Sequence, residues 1–366
     1  MFGQPNILET IHLLIHADDS TILASSREIA ERKIVAMVDY CKLNHISLEL
    51  SKCNFIVING TDIDKRDFII GNVCIKNGSY INLLGSHLSQ SANLNTDLDL
   101  HMKKRYISVP TYYNWLRNNK LAPIPVKLKV IESCVMSSLL YNCECFGDSI
   151  PEGIEKTYFK MIKSALGVRN CVPNDLVLIE TGMPSIKAMI VSRQFNFINR
   201  FIENFSYDSP RKKVFDFIWN GHYTYISHYK SIHSLYQSKN DITNKFSSQI
   251  KERVNNFALS DTHYKYYTYK KFNPNLTPLN LSPSYSYKFV RLRLSSHDMP
   301  IEKGRYNRTP RENRICQSCN VLGDELHYIY NCPQINRNGL QNIPSLDQLY
   351  KFNNLELLLQ KLNIYL

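Results

Sequence analysis

Three cysteines and one histidine late in the chain have the residue types and the spacing of a zinc site. Two residues separate Cys316 from Cys319, seven more lead to His327, and a further four lead to Cys332. A Cys-x2-Cys pair grips one ion with two sulfurs, and three thiolates with one imidazole complete the tetrahedral coordination of structural Zn²⁺. Because no coordination position remains for water or substrate, the pattern predicts a structural zinc ion. Chance clustering of reduced cysteines is the alternative.

A group of basic residues precedes the first of these cysteines. It consists of Arg291, Arg293, Arg305, Arg308, Arg311 and Arg314. Guanidinium groups match the geometry of phosphate oxygens, so the group predicts contact with RNA or DNA. The whole chain agrees, because 44 Lys and Arg against 32 Asp and Glu leave a net charge of +12, which favours polyanionic partners. A small metal-stapled domain with merely solvated arginines is the alternative.

Two adjacent aspartates, Asp18 and Asp19, lie at the tip of a predicted β-hairpin. An apolar run over residues 11–15 precedes them and a second run over residues 21–23 follows. Neighbouring carboxylates repel each other unless a cation lies between them, and paired carboxylates hold the divalent ions of two-metal phosphoryl transfer. A solvated surface turn is the plain alternative.

The residues around the aspartates resemble a known family. Residues 16–19, His-Ala-Asp-Asp, are similar to the Tyr-Ala-Asp-Asp hairpin of reverse transcriptases, especially those of non-LTR, LINE-type retrotransposons. Residues 48–53, Leu-Glu-Leu-Ser-Lys-Cys, look like the next motif, in which Lys52 takes the place of a lysine near the incoming triphosphate. Residues 81–88 resemble the strand and glycine turn of the primer grip, and residues 291–333 resemble the zinc-binding tail that follows many of these enzymes.

The resemblance implies RNA-directed DNA polymerisation for the full-length relative. In that reaction Asp18 and Asp19 bind Mg²⁺, and Lys52 acts as a charge beside the triphosphate or donates a proton to pyrophosphate. Two positions depart from the family pattern, since His16 replaces the usual Tyr and Glu49 replaces the usual Asn before the lysine. A solvent-facing Lys52 without a chemical role is the alternative.

The polymerase site is expected to be incomplete. The family's first catalytic aspartate lies on a separate strand well upstream, whereas only 17 residues precede Asp18. Two-metal transfer needs ligands that converge on both ions, and one hairpin presents only one side. We therefore expect a fragment that lacks the fingers and is inactive alone, with RNA or DNA as partner and Mg²⁺ bound only if another chain supplies the missing palm and fingers. The alternatives are a non-enzymatic nucleic-acid-binding protein that uses the zinc tail and thumb, and a pseudogene product without function.

The elements expected to position these residues form an α+β fold. Alternating apolar residues and turn signals up to about residue 90 predict the order β-β-α-β-β-β, and helical patterns dominate afterwards. We expect a partial palm (antiparallel sheet with helix) over residues 1–95, a helical thumb-like region over 96–205, a loosely packed Tyr- and Lys-rich connecting region over 206–288, a CCHC zinc-binding unit over 289–340 and a C-terminal helix over 341–366.

Composition narrows the class of protein. With 43% hydrophobic and 21% charged residues, the chain has the composition of a globular protein. No apolar run approaches the roughly 20 residues that a membrane-spanning helix needs. Ten cysteines in 366 residues are too few for a disulfide scaffold, so a reducing compartment, the cytoplasm or nucleus, is expected.

Three further features of the sequence are less informative about function. Trp115 and Trp219 lie in helical patterns and are predicted to be core anchors. The basic run of residues 211–213 is too short to indicate targeting. Tyrosines alternate with lysines over residues 264–271, a composition that fits either base stacking or a partly ordered linker.

Overall fold

The computed structural model describes residues 13–49, 52–70, 73–151, 153–206, 209–221, 224–260 and 281–366. The fold is α+β, with short strands first and mainly helices afterwards. The chain divides into two compact units that each combine several segments. The first unit contains Met1–Tyr106, Asn142–Pro151 and Gln194–Leu235, and the second contains Ile107–Tyr141, Glu152–Arg193 and Tyr236–Leu366. These units join segments that lie far apart in the sequence.

Within the described ranges, the strands form three small sheets. They are β1 (Leu13–His16), β2 (Asp19–Ile22), β3 (Asn54–Phe55), β4 (Phe68–Ile70), β5 (Val73–Asn77), β6 (Tyr80–Leu83) and β7 (Ser86–Ser89). β1 pairs with β2 and β6 with β7, both antiparallel, whereas β5 pairs antiparallel with β4 and parallel with β3. The predicted start, two strands followed by a helix, is confirmed, but five strands follow the helix where three were predicted. The expected antiparallel sheet is corrected, because the strands pair only with near neighbours in separate sheets and the β3–β5 pair is parallel.

Two hairpin turns depend on left-handed backbone. In the β1–β2 hairpin, His16 lies opposite Asp19, and the turn residue Ala17 has φ of +54°. In the β6–β7 hairpin, Leu84 and Gly85 form the turn with φ of +49° and +79°. Two-residue hairpin loops favour positive φ because that backbone twist matches the twist of the flanking strands. The first hairpin is the one predicted from the two apolar runs, and the second has its turn at Leu84 and Gly85, within the residues that resemble the primer grip.

Helix α1 (Arg27–Leu43) follows the first hairpin as predicted, and Ser26 is its N-cap residue. The side chain of Ser26 accepts a hydrogen bond of 3.3 Å from the backbone N–H of Ile29. Arg27 fixes the helix to the segment before β4, because its guanidinium lies 4.2 Å from the Phe68 ring centroid and donates to backbone carbonyl oxygens of that segment.

Helices dominate from residue 94 onward. They are α2 (Leu94–Arg105), α3 (Ser108–Asn118), α4 (Ile124–Val130), α5 (Ile154–Leu166), α6 (Asn174–Thr181), α7 (Ile186–Glu203), α8 (Pro210–Asn220), α9 (Thr224–Leu235), α10 (Lys239–Ser260), α11 (Pro283–Arg293), α12 (Pro300–Tyr306) and α13 (Leu355–Lys361). α4 continues through a π-helical stretch, Ile131–Met136, into the turn Ser137–Leu139. Among the residues that the structure describes, no helix is both long and apolar enough to cross a bilayer.

The connecting region differs from its prediction. A loosely packed linker is expected over residues 206–288, yet α8, α9 and α10 occupy most of its described part. In α8 aromatic rings, such as those of Phe215 and Trp219 at i and i+4, replace an aliphatic stripe. In α10 the stripe is present in the sequence, because the buried Ile242, Ile250 and Val254 recur at helical intervals. The Tyr- and Lys-rich run of residues 264–271 lies outside the described residues.

One hydrophobic core joins the two C-terminal segments that the sequence analysis separates. Cys316 and Cys332 belong to it together with Leu355, Leu358 and Leu359 of α13. All five side chains are at most 2% exposed. The predicted helix over residues 341–366 is reduced to α-helix Leu355–Lys361 with 3-10 turns on either side, and this short helix is packed against the cysteine-containing segment and helps to position it.

A buried ion pair provides a test of the packing within the second unit. Nε of Arg293 in α11 lies 2.8 Å and 3.0 Å from the two carboxylate oxygens of Glu180 in α6. The side chains are 6% and 3% exposed. We expect Glu180→Gln to lower the free energy of unfolding by about 3 kcal/mol, because the buried guanidinium loses its counter-charge. Urea denaturation measures this difference.

The matched control is Glu132→Gln, which breaks a pair with Lys129 whose side chains are 71% and 51% exposed. Water already solvates both of those charges, so a change below about 0.5 kcal/mol is expected. Equal effects of the two substitutions would contradict the buried environment of Arg293.

Candidate metal centre and nucleic-acid residues

The four predicted zinc ligands come together at one point. The Sγ atoms of Cys316, Cys319 and Cys332 and a ring nitrogen of His327 all lie within 4.8 Å of one another. Cys332 Sγ is 3.8 Å from Cys316 Sγ and 3.9 Å from Cys319 Sγ. Tetrahedral coordination with Zn–S bonds of about 2.3 Å separates two sulfurs by about 3.8 Å. The donor atoms and their spacing therefore fit a structural Zn²⁺.

A tight turn presents the first two ligands. The backbone N–H groups of Cys319 and Asn320 both donate to the carbonyl oxygen of Cys316, at 3.3 Å and 2.9 Å. The backbone N–H of Cys316 in turn donates to the carbonyl oxygen of Val321 at 2.7 Å. Gly323 follows at a close approach, because a Cβ there would lie 2.7 Å from Cγ of Pro300. The glycine thus lets the chain turn back toward the other ligands, as its position in the sequence predicts.

A single π-helical turn, His327–Asn331, presents the other two ligands. The backbone N–H of Cys332 donates to the carbonyl oxygen of His327 at 2.7 Å, so the ligands five residues apart lie on the same side of the turn. Asp324 caps the start, since its Oδ1 accepts the backbone N–H of His327 at 2.9 Å. This cap was not predicted, although an Asp three residues before a helical turn is a recognisable signal.

Arg337 holds the end of this turn and was also missed by sequence analysis. Its guanidinium donates to the carbonyl oxygens of Tyr328, Ile329 and Cys332, at 3.0, 3.0 and 2.7 Å. These carbonyl groups lack helical partners at the helix end, and a cation there stabilises them. The sequence contains no pattern that would distinguish this arginine from a solvated one.

The thiol groups differ in acidity because their surroundings differ. Burial raises the pKa of the Cys316 thiol, but hydrogen bonds from Tyr328, from the Ser318 backbone, from His327 and from the Cys319 backbone outweigh burial and bring the pKa to about 6. Burial, hydrogen bonds to Cys316 and Cys332, and the charges of these two thiols raise the pKa of Cys319 to about 11. Neighbouring thiolates repel one another, so a divalent cation is what permits all three to ionise together.

Three of the six predicted phosphate-binding arginines bond to backbone carbonyl groups or to a buried carboxylate inside the second unit. Nε of Arg291 and Nε of Arg314 each donate to a backbone carbonyl oxygen at 2.7 Å, and Arg293 pairs with Glu180. These three side chains act as internal crosslinks, a role that depends on partners remote in sequence for Arg291 and Arg293.

The other three predicted arginines lie nearer to solvent. Arg305 forms an ion pair with Glu302 one helical turn earlier. Arg308 and Arg311 are exposed in the loop that follows α12. Arg308 and Arg311 are therefore best placed to contact phosphate, because no buried bond has to be broken first.

The aspartate pair and Lys52 lie apart from this cluster in the sequence and are exposed. Asp18 is in the turn of the first hairpin, and Asp19 begins β2 opposite His16. Over the residues that the structure describes, the Cys–His cluster is the one grouping of three or more potential metal-ligating side chains. The backbone N–H of Lys52 donates to the Glu49 carbonyl oxygen at 3.1 Å, and residues 50 and 51 of the same motif are outside the described ranges.

Substitution of one ligand tests the metal centre. We expect the wild-type chain to bind one zinc ion and Cys332→Ser to lose it, because a hydroxyl is a poor replacement for a thiolate ligand. Zinc content by native mass spectrometry and the melting temperature with and without a chelator measure the effect. The chelator should lower the melting temperature of the wild type and leave that of Cys332→Ser unchanged.

Cys171→Ser is the control, because Cys171 is exposed and is not part of the cluster. Its zinc content should equal that of the wild type. Retention of zinc by Cys332→Ser would contradict the proposed coordination.

No protein-family model, curated protein or solved structure matches the chain. The resemblance to reverse transcriptases therefore depends on the residues and spacings of the chain itself, among which the Cys–His cluster has the most specific pattern.

Proposed function

We propose that the chain binds RNA or DNA through its zinc-stapled C-terminal segment, as part of a protein related to non-LTR reverse transcriptases, and that it is inactive alone. The convergence of Cys316, Cys319, His327 and Cys332 within 4.8 Å carries the proposal. It supports the part of the resemblance with the most specific spacing, because ligands scattered over 17 residues of unrelated sequence have no reason to meet.

The order of the other elements supports the same family. The hairpin with the aspartate pair is followed by α1 and later by the β6–β7 hairpin with its Leu84–Gly85 turn. The first hairpin would belong to the palm, the second to the primer grip, and the helices after residue 94 to the thumb. Hairpins of this size occur in many folds, so they carry less weight than the metal cluster.

Phosphate binding is assigned to the exposed basic residues beside the metal centre. Arg308 and Arg311 are exposed, and Lys303 is exposed on the preceding helix α12. Phosphate neutralisation by such groups releases counterions and makes affinity dependent on salt. The metal centre contributes by holding the segment that follows Arg311 in one conformation.

Nucleotidyl transfer is the second candidate function, and the exposed Asp18–Asp19 pair favours it. Carboxylates at a hairpin tip are accessible to metal ions, but two-metal transfer requires ligands from more than one element. We propose that a further element supplies the remaining carboxylate together with the nucleotide pocket. Mg²⁺ would then bind at Asp18 and Asp19 only in that assembly.

Replacement of both exposed arginines tests the nucleic-acid proposal. Arg308→Ala/Arg311→Ala should weaken binding of a single-stranded oligonucleotide and lower the slope of log affinity against log salt by about 1.4, since each single-strand phosphate contact contributes about 0.7. Fluorescence anisotropy from roughly 50 to 200 mM salt measures both quantities.

The control variant, Arg32→Ala/Lys42→Ala, removes the same charge from exposed positions of α1. Its slope should match that of the wild type. A common decrease in both variants would indicate that net charge alone drives binding and would contradict the assignment to the C-terminal segment.

A primer-extension assay tests the inactive state of the isolated chain. With primed template, triphosphates and Mg²⁺, we expect no incorporation above the level of Asp18→Ala, because one hairpin presents ligands from one side only. Incorporation that Asp18→Ala abolishes would overturn this expectation and establish polymerase activity in the chain itself.

A further inference from the structure

Aromatic rings near the end of α7 and in α8 form a continuous ladder in the first unit. The ring centroids of successive neighbours are 4.9 to 5.2 Å apart, and two of the contacts are stacked with planes only 9° and 21° from parallel. The rings belong to Phe197, Phe201, Phe205, Phe215 and Trp219. Such spacing is favourable for aromatic pairs and fixes the rings relative to one another.

The ladder is not part of the buried core. All five rings are partly exposed, whereas Phe195 and Ile198 on the same helix are 5% and 1% exposed. A cluster that served packing alone would bury its rings as these two neighbours are buried. The prediction that Trp219 is a core anchor is therefore corrected to a half-buried position.

Cations lie beside the rings. The Arg211 guanidinium is 5.9 Å from the Phe205 ring centroid, and Nζ of Lys230 is 5.9 Å from that of Trp219. The described residues of 197–235 contain five basic and two acidic side chains. These are Arg200, Arg211, Lys212, Lys213 and Lys230 against Glu203 and Asp216. The buried Lys212 pairs with Asp216 at 2.7 Å, which leaves four basic side chains against one acidic side chain.

The excess of positive charge indicates which class of ligand binds over these rings. An uncharged partner would leave the ammonium and guanidinium groups at its edge without counter-charges, whereas a polyanion supplies them. A single strand of nucleic acid provides both components, since its unpaired bases stack on aromatic rings and its phosphates pair with the cations. In a duplex the bases stack on each other and their faces are not accessible.

We propose that the ladder and its cations form a second nucleic-acid site, which stacks the unpaired bases of a single strand. The proposal rests on the proposed function, because it specifies the ligand as single-stranded and places base contacts in the first unit. Trp219 is the principal stacking residue. It has the largest ring and ends the ladder on the α9 side, where the His233 ring lies 6.0 Å from it.

Trp219 also reports on its own contacts. The chain contains two tryptophans, so Trp115→Phe leaves Trp219 as the sole indole. We expect oligo(dT) of about twelve nucleotides, a length within the span of known single-strand sites, to quench and shift its emission. An abasic oligomer with the same phosphate backbone should cause a much smaller change, because it carries the charges without the bases. The complementary variant, Trp219→Phe, should show little change from its remaining Trp115.

Affinity provides the second measurement. Trp219→Leu should weaken oligo(dT) binding about tenfold and leave abasic binding unchanged, while Trp219→Phe retains most of the affinity. The matched control is Trp115→Leu, which removes the other partly exposed indole, stacked on Tyr112 at 6.2 Å. Circular dichroism verifies that both leucine variants are folded.

Lys230→Gln removes a charge without removing a ring. It should lower the slope of log affinity against log salt by about 0.7, so it tests the site even if Trp219→Leu does not fold.

The outcomes separate this inference from the proposed function. Base-dependent quenching of Trp219, with weaker binding by Trp219→Leu than by Trp115→Leu, supports the ladder as a stacking site. Equal quenching by the abasic oligomer or by heparin, or equal affinities of the two leucine variants, overturns it. Dependence on Arg308 and Arg311 without dependence on Trp219 leaves the C-terminal proposal standing and refutes the ladder. The reverse pattern refutes the C-terminal proposal and leaves the ladder standing. Failure to bind any oligonucleotide refutes both.

Discussion

Repulsion between closely spaced thiolates is the constraint on which the C-terminal part of the structure depends. Three sulfurs and an imidazole nitrogen within 4.8 Å can all act as ligands only when a cation neutralises them. The surrounding structure is consistent with that requirement, since a tight turn presents one pair of ligands and a π-helical turn presents the other. Arg337 donates to the Cys332 carbonyl oxygen, and the leucines of α13 pack in the same core as Cys316 and Cys332. The metal, the arginine and the core thus act on the same few residues.

Like charges also repel at Asp18 and Asp19, but there water relieves the repulsion. Those carboxylates are adjacent in sequence, but they lie at an exposed hairpin tip where water separates and solvates their charges. The pair therefore needs no ion for stability, whereas the three closely spaced sulfurs of the Cys–His cluster, two of them buried, repel one another as thiolates unless a cation lies among them. Whether the acidic groups are buried or solvated therefore decides whether a site requires a metal ion or only permits one to bind.

Local features of the site could be predicted from the sequence, and features that depend on remote partners could not. The spacing of the zinc ligands, the first hairpin and the turn at Gly85 involve residues within a few positions of each other, so turn and ligand rules suffice. The pairing of β3 with β5 depends on residues far apart in the chain. Arg293 likewise gained its partner, Glu180, from a helix more than a hundred residues earlier. No composition rule contains that information.

The arginines show how burial determines the role of one side-chain type. Arg291, Arg293 and Arg314 use the donor geometry that suits phosphate to crosslink backbone carbonyl groups and a carboxylate inside the protein. Removing such a partner leaves unsatisfied groups, so substitution there costs stability first and affinity only indirectly. Arg308 and Arg311 have the same chemistry but are exposed, and so their substitution reports on binding. The half-buried Trp219 stands between these cases, because its ring is fixed by Phe215 on one side while part of it still contacts solvent.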